Sequence, residues 1–283
     1  MMPSNTSGKL VSKISGMSIL TDRVDYTKPD QVFPIHPEQC FYIDEIDREK
    51  IKGASALEIG LGSGVLSIAA AKAGARKVTA LEINPRAKNF AGYNIMQNGV
   101  EEKIEIRDGN EDIFKPVKKE KFDYIISNPP FEPTPQGIEY FMHSSGGIYG
   151  LDFVEKLLKG VDEHLTEKGH AQIVTFAPGD HDSPSMLIGL INKYLPGRTQ
   201  LKVNPISMRY DDLVDRFTQI GKATIKQVDE MKERAQADGV THLYLCMIHY
   251  DKGKKSLTME LSEKIYENWD LPLESKIPVG CKA

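Results

Sequence analysis

Residues 54–59 form a short apolar run that ends abruptly at Gly60, Gly62 and Gly64, and residues 63–73 beyond it are rich in Ala, Leu and Ile. An apolar run this short, stopped by glycines, reads as a buried strand. Glycine lets the backbone turn tightly and approach a ligand closely. The segment after the turn reads as a helix over 63–73, with Ser63 suited to cap it. Free N–H groups and a positive dipole at that helix start favour an anion or a carboxylate. A strand that turns straight into a helix commits the chain to an α/β architecture.

The pattern repeats downstream. Strands are expected over 77–82, 103–107, 122–127 and 171–176. Helices are expected over 85–98, where Pro85 suits the first turn and Gly99 lies just past the end, and over 151–165. This alternation implies parallel strands joined by right-handed crossovers. The expected fold is therefore α/β, a Rossmann-like, seven-stranded, mostly parallel, doubly wound sheet. Further on, a helix is expected over 185–194 and strands over 200–206 and 241–250. Two amphipathic helices over 211–220 and 224–237 read as an insertion at about 207–240. A short helix is expected at about 257–267. The predicted organisation is an N-terminal segment, 1–50, that contributes to the pocket, a core over 51–251, and a C-terminal tail over 252–283. In doubly wound sheets ligands bind beyond the carboxyl ends of the strands, and the motifs described next all fall there.

Composition narrows the classes. The chain is 40% hydrophobic and 27% charged, with a net charge of −4. Neither flanking segment is strongly basic, which disfavours a nucleic-acid substrate. No run approaches the roughly 18 apolar residues of a membrane span, and residues 1–20 lack a signal-peptide layout. A cytoplasmic location is expected. Cys40, Cys246 and Cys281 are widely spaced and read neither as a disulfide framework nor as a zinc site. No metal is expected, because no His-x-x-x-His or Cys-x-x-Cys pair is present. His36 and His143 flank motifs and are read as neutral hydrogen-bonding or surface residues. His242 and His249 are expected to face solvent or an edge, and Trp269 to pack the tail. No sequence signal bears on oligomeric state.

The turn reads Glu58-x-Gly60-x-Gly62-x-Gly64. Its spacing differs from the G-x-G-x-x-G of nicotinamide folds, and no Gly-Lys-Ser/Thr follows to make a phosphate loop. It resembles the first motif of the class I, Rossmann-like methyltransferases that use S-adenosylmethionine (SAM). The resemblance implies that Glu58 and the glycine loop hold the amino-acid part of SAM. Glu82 lies 22 residues beyond Gly60, where an acid can accept hydrogen bonds from a ribose diol. Asn84 beside it resembles the family's continuation. Asp108 and Gly109 follow the third strand, and the resemblance implies that Asp108 accepts from the adenine amino group.

Asn128-Pro129-Pro130-Phe131 closes the fourth strand. The prolines fix φ and remove donors, and Asn128 is pushed extended by the proline after it. A planar nitrogen is a poor nucleophile because its lone pair is delocalised. Two acceptors, the Asn128 side-chain oxygen and the Pro129 carbonyl, would orient its N–H groups and offset developing charge. Phe131 offers a flat face to a planar or cationic group. The motif resembles the (Asp/Asn)-Pro-Pro-(Tyr/Phe) signature of amino and amide methyltransferases, which include nucleobase N-methyltransferases and release-factor glutamine methyltransferases. It places Asn128 among both the catalytic and the cofactor-binding residues. The resemblance covers about residues 30–180. The segment 32–39 is similar to the Pro-and-acid segment that borders the pockets of the glutamine enzymes, and 146–152 resembles their Gly-Leu-Asp. The expected activity is SAM-dependent N-methylation of a planar amide or amino group on a small molecule or protein. The alternatives are a nucleobase N-methyltransferase and a non-catalytic SAM-fold module.

Overall fold

Residues 8–269 are described by the computed structural model. They begin with a hairpin, β1 (Lys9–Ile14) and β2 (Met17–Asp22), paired antiparallel. Its turn residues Ser15 and Gly16 both have positive φ, 46° and 73°, which suits the twist of a tight hairpin. No strand was expected here, because the strands are short and their apolar residues, Leu10-Val11 and Ile19-Leu20, sit side by side and do not alternate. α1 (Pro37–Asp44) follows, with Pro37 in its first turn and a capping box between His36 and Gln39. α2 (Arg48–Ile51) is a single turn capped by Asp47.

The core alternates as expected: β3 (Ser55–Ile59), α3 (Val65–Ala73), β4 (Lys77–Glu82), α4 (Pro85–Gln97), β5 (Ile104–Asp108), β6 (Phe122–Ser127), α5 (Asp152–His164) and β7 (Leu165–Gly179). Then come α6 (Ser185–Tyr194), β8 (Arg198–Arg209), α7 (Tyr210–Gln219), α8 (Ile225–Ala237), β9 (His242–Asp251) and β10 (Ser256–Leu261). Helices α7 and α8 lie between β8 and β9.

The described sheet has eight strands in the order β10-β8-β9-β7-β6-β3-β4-β5, and β9 alone runs against the others. The expected seven-stranded sheet is corrected by one. The extra strand is β10, where a helix over 257–267 was expected. Leu257, Met259 and Leu261 alternate with polar residues, a period of two that fits a strand. Most of this edge strand is exposed, so its apolar pattern carried little information. A second correction concerns α3. Its N-cap is Gly64 in the left-handed region, φ 84°, and not Ser63.

Both faces of the sheet are covered. Leu66, Ile68, Phe41 and Tyr42 belong to one core, and Leu157, Val161, Ile191 and Leu187 to the other. On α5 the buried positions Val154, Leu157, Leu158 and Val161 recur at helical spacing. Full burial of each such side chain contributes roughly 1.5–3 kcal/mol. Cys246 is a free buried thiol in β9. Cys40 is buried in α1. Among the described residues no helix is long and apolar enough to cross a membrane.

The strand order reverses beside β3. From β3 the chain runs outward through β4 and β5, then returns to place β6 on the other side of β3. Such a switch point leaves a crevice at the carboxyl ends of β3 and β6. The glycine turn leaves β3 there, and Asn128 leaves β6.

Candidate functional site

The crevice opens into a cavity of about 420 Å³, within the range of small-ligand sites. Of the residues singled out in the sequence, Glu58, Gly60, Gly62, Glu82 and Asn84 line it from the β3 and β4 side. Gly109, Asn128, Pro129 and Phe131 line it from β5 and β6. Two singled-out residues do not. Gly64 packs against α4 instead, where an added Cβ would lie 3.2 Å from the Ala91 Cβ. Asp108 points away: its side chain is 86% exposed and paired with Lys88. The cavity position expected of Asp108 is taken by its neighbours Gly109 and Asn110. The strand ends at Asp108, and in a strand adjacent side chains point to opposite faces.

Backbone strain explains the glycines. Gly60 and Gly62 have φ of 82° and 52°, a region that disfavours any Cβ. Nothing lies within 4 Å of the position a Gly62 Cβ would take, so its open side is the cavity. Gly109 is different: a Cβ there would sit 2.8 Å from Ile83 Cγ2. Its N–H donates to the Glu82 carbonyl at 2.9 Å, which presses the β5 exit against the end of β4.

The acids are held firmly. Glu58 is 1% exposed and accepts from the Ser67 hydroxyl. Burial pushes its pKa up to about 8; the Ser67 hydrogen bond opposes the rise and the nearby Glu82 charge adds to it. Glu82 accepts from the N–H of Gly62 and of Asn84, each at 2.8 Å. Burial raises its pKa too, against those hydrogen bonds and the pull of Lys88. Each carboxylate oxygen keeps a further lone pair for a hydroxyl. Asn84 caps α4 by accepting from the Arg86 N–H at 2.9 Å and donates to the Asp30 carbonyl at 3.0 Å. Its side chain therefore fastens the N-terminal segment over the cavity.

At the other end, the Ser127 hydroxyl donates to the Ile59 carbonyl at 2.8 Å and locks β6 to β3 just before the motif. The Asn128 Oδ1 atom is buried and has no hydrogen-bond partner among the described residues. Phe131 packs on Phe176 with ring centroids 4.4 Å apart, and Phe176 meets Trp269 edge-on at 4.5 Å. Trp269 thus packs beneath the site.

Several cavity residues were not promoted from sequence. Glu38, in the Pro-and-acid segment, is 2% exposed. Burial pushes its carboxyl up to about 8, opposed by its own backbone N–H, by Gln39 and by a hydrogen bond from the Asn128 side chain. Its Oε2 has no partner among the described residues. Glu132, next to the motif, is held up at about 7 by burial, against hydrogen bonds from Tyr140 and Ser144. His143 is half-buried, and desolvation is the first cause that pushes it down to about 3. Neutral as expected, it lies 3.0 Å from Gln31 Oε1 and 2.9 Å from the Ser144 hydroxyl. His36 and His143 both line the cavity. His249, expected to face solvent or an edge, is instead buried, with Nδ1 3.2 Å from Nε2 of His170.

In sequence, residues 36–129 match the family model of ribosomal protein L11 methyltransferase (PrmA). The chain is 34% identical over 128 residues to a protein of Methanocaldococcus jannaschii provisionally named as a protein N5-glutamine methyltransferase; the match covers 44% of this chain and 62% of that one. It is 30% identical over 151 residues to the release factor glutamine methyltransferase of Geobacter sulfurreducens, covering 50% and 51%. The matched stretches thus span only about half to three-fifths of those relatives. In structure, the chain resembles a provisionally named SAM-dependent methyltransferase of Streptococcus mutans, with TM-score 0.53, 15% identity and coverage of 88% of this chain and 57% of that one. It also resembles Methanocaldococcus jannaschii Trm5 in complex with adenosine, with TM-score 0.50, 17% identity and coverage of 88% and 56%. The fold is that of the SAM-dependent methyltransferases. The core carries its glycine turn and its Asn-Pro-Pro-Phe segment at adjacent strand ends. Sequence likeness within 36–129 includes the first and stops inside the second.

Proposed function

We propose that this chain is a SAM-dependent methyltransferase that methylates the nitrogen of a carboxamide on a protein, acting in the cytoplasm. The observation that carries this reading is the unpartnered, buried Asn128 Oδ1. A buried acceptor without a donor is costly, about 1–3 kcal/mol, and is explained by a donor that arrives with the substrate. An amide N–H is such a donor. The names of the relatives, which include a release factor glutamine methyltransferase and a ribosomal protein uL3 glutamine methyltransferase, support a protein amide as the acceptor.

The residues present fit the cofactor. Glu58 and the turn at Gly60 and Gly62 suit the amino-acid end of SAM, Glu82 the ribose diol, and Gly109 and Asn110 the region of the base. When bound, SAM supplies a sulfonium-activated methyl group. Asn128 Oδ1 and the Pro129 carbonyl accept the N–H bonds of the acceptor and hold its nitrogen toward the methyl. They also offset positive charge as the N–C bond forms and the C–S bond breaks. The displaced N–H proton passes to water. Phe131, backed by Phe176, supplies a flat wall.

Titration calorimetry with SAM, combined with transfer of labelled methyl to cellular protein fractions, tests this. Asn128→Ala should bind SAM within about threefold of wild type and lose transfer by about 10²-fold or more. Full transfer by Asn128→Ala, or no binding of SAM by the wild type, would overturn the reading. A nucleic-acid acceptor would instead show steep loss of activity with salt.

A further inference from the structure

We propose that Glu38 makes the acceptor site selective for a carboxamide, by donating a hydrogen bond from its carboxyl O–H to the carbonyl oxygen of the acceptor while Asn128 Oδ1 accepts from the acceptor N–H. The inference rests on the methyltransferase reading above and deepens it.

Two buried oxygens in the same cavity lack partners among the described residues: Asn128 Oδ1 and Glu38 Oε2. The two side chains act on each other: Asn128 is among the groups that hold the Glu38 carboxyl down against the effect of burial. That contact uses the Asn128 amide as donor and one Glu38 oxygen as acceptor. The one side-chain oxygen of Asn128 and Oε2 of Glu38 are both open to a ligand. A primary carboxamide presents a matching edge, with N–H donors beside one carbonyl acceptor. An amine offers donors only and would leave Glu38 unanswered.

The site fixes Glu38 in place. It follows Pro37 in the first turn of α1, and the capping box between His36 and Gln39 sets that turn. A helix start favours an ionised acid. Here burial wins and keeps the carboxyl protonated through neutral pH, so that Oε2 can donate. Other titratable groups share the cavity: His36 on the entry to α1, Glu58 and Glu82 from β3 and β4, Glu111 from the loop after β5, Glu132 and His143 from the loop after the motif, and Lys156 on α5. His143 is neutral there. None of them contributes a charge to the shift of Glu38, which has burial and hydrogen bonds as its causes.

The test uses the full chain, labelled SAM and a panel of peptides that each carry one glutamine, with matched peptides carrying lysine in its place. Glu38→Gln retains an N–H donor and should keep kcat/KM on glutamine peptides within about tenfold of wild type. Its transfer to glutamine peptides should no longer fall as pH rises past 8, as that of the wild type should when Glu38 ionises. Glu38→Leu removes the donor and should lose 10²-fold or more on glutamine peptides while binding SAM within threefold. Undiminished transfer by Glu38→Leu overturns the proposal. So does a Glu38→Gln variant that melts and binds SAM like wild type yet is as inactive as Glu38→Leu, since that points to an ionised acid. Wild-type protein that binds SAM but methylates lysine and not glutamine peptides overturns the carboxamide reading itself, and this proposal with it.

Discussion

Glu82 ties the glycine turn to the start of α4: one carboxylate oxygen accepts the Gly62 N–H at 2.8 Å, and the other accepts the Asn84 N–H at 2.8 Å. The residue that suits the ribose also holds the two loops that form the floor of the cavity. Glu82→Ala frees both N–H groups. Each buried unsatisfied donor costs about 1–3 kcal/mol, so the melting temperature should drop, and SAM affinity should fall at least tenfold. Thermal melts and titration calorimetry read both. An unchanged affinity would remove Glu82 from the cofactor site.

Asp108 gives the opposite expectation. Its carboxylate is exposed and pairs with Lys88 outside the cavity, and such surface pairs contribute little. Asp108→Ala should change SAM affinity by less than threefold. A loss as large as that of Glu82→Ala would mean that the side chain turns inward when SAM binds.

Much of this was legible in the sequence. The glycine turn, Glu82 and Asn128 are set by local rules: where a strand ends, where a helix begins, and which residues tolerate those dihedrals. Other features depend on contacts between distant segments. The outward direction of Asp108 is one: the direction of a strand's last side chain is fixed by its neighbours in the sheet, not by its place in a motif. No local pattern shows that Glu38 becomes buried in the cavity of Asn128 or that Glu132 faces that cavity beside Phe131. The strand β10 was read as a helix because an exposed edge strand carries a weak apolar pattern. The Asn94 side chain bridges Leu20 and the Ser63 carbonyl at 2.8–2.9 Å. It thereby joins the hairpin to the glycine turn across a separation that no local pattern records.

Gly150 has a structural duty that its loop position conceals. The segment after the motif folds back on it: the Glu132 N–H donates to the Ser144 carbonyl at 2.8 Å, and the Gly146 N–H donates to the Glu132 carbonyl at 3.0 Å. Gly150 has φ of 71°, and a Cβ there would collide with the Phe131 carbonyl oxygen. Backbone, not a flexible side chain, stands in the way. Gly150→Ala should therefore displace Phe131 and lower kcat by about tenfold or more, since small misplacements of a positioning group are costly. SAM binding should hold within about threefold, because the Gly60 turn lies on another strand end. Equal losses in kcat and SAM affinity would show that the whole cavity deforms.

The buried acids also set a pH dependence of stability. Burial raises Glu38 and Glu58 to about 8 in the folded chain, against an unfolded carboxyl near 4.3. A raised folded pKa means that the native state holds a proton the unfolded state has released. The stabilisation is complete below the unfolded pKa, declines as pH rises, and is lost once pH passes about 8. His143 and His249, both pushed down to about 3 by burial, act in the other direction, but their effect is complete above about pH 6.5. Between pH 6.5 and 8 the acids therefore dominate, with a loss of up to roughly 1.4 kcal/mol per pH unit for each. Each kcal/mol corresponds to roughly 2–4 °C in a chain of this size. The SAM-free protein should melt at least about 5 °C lower at pH 8.5 than at pH 6.5. Glu58→Gln stays neutral at every pH and should flatten that slope by about half. A melting temperature that is level or rising across this window would show that Glu38 and Glu58 are ionised in the folded protein.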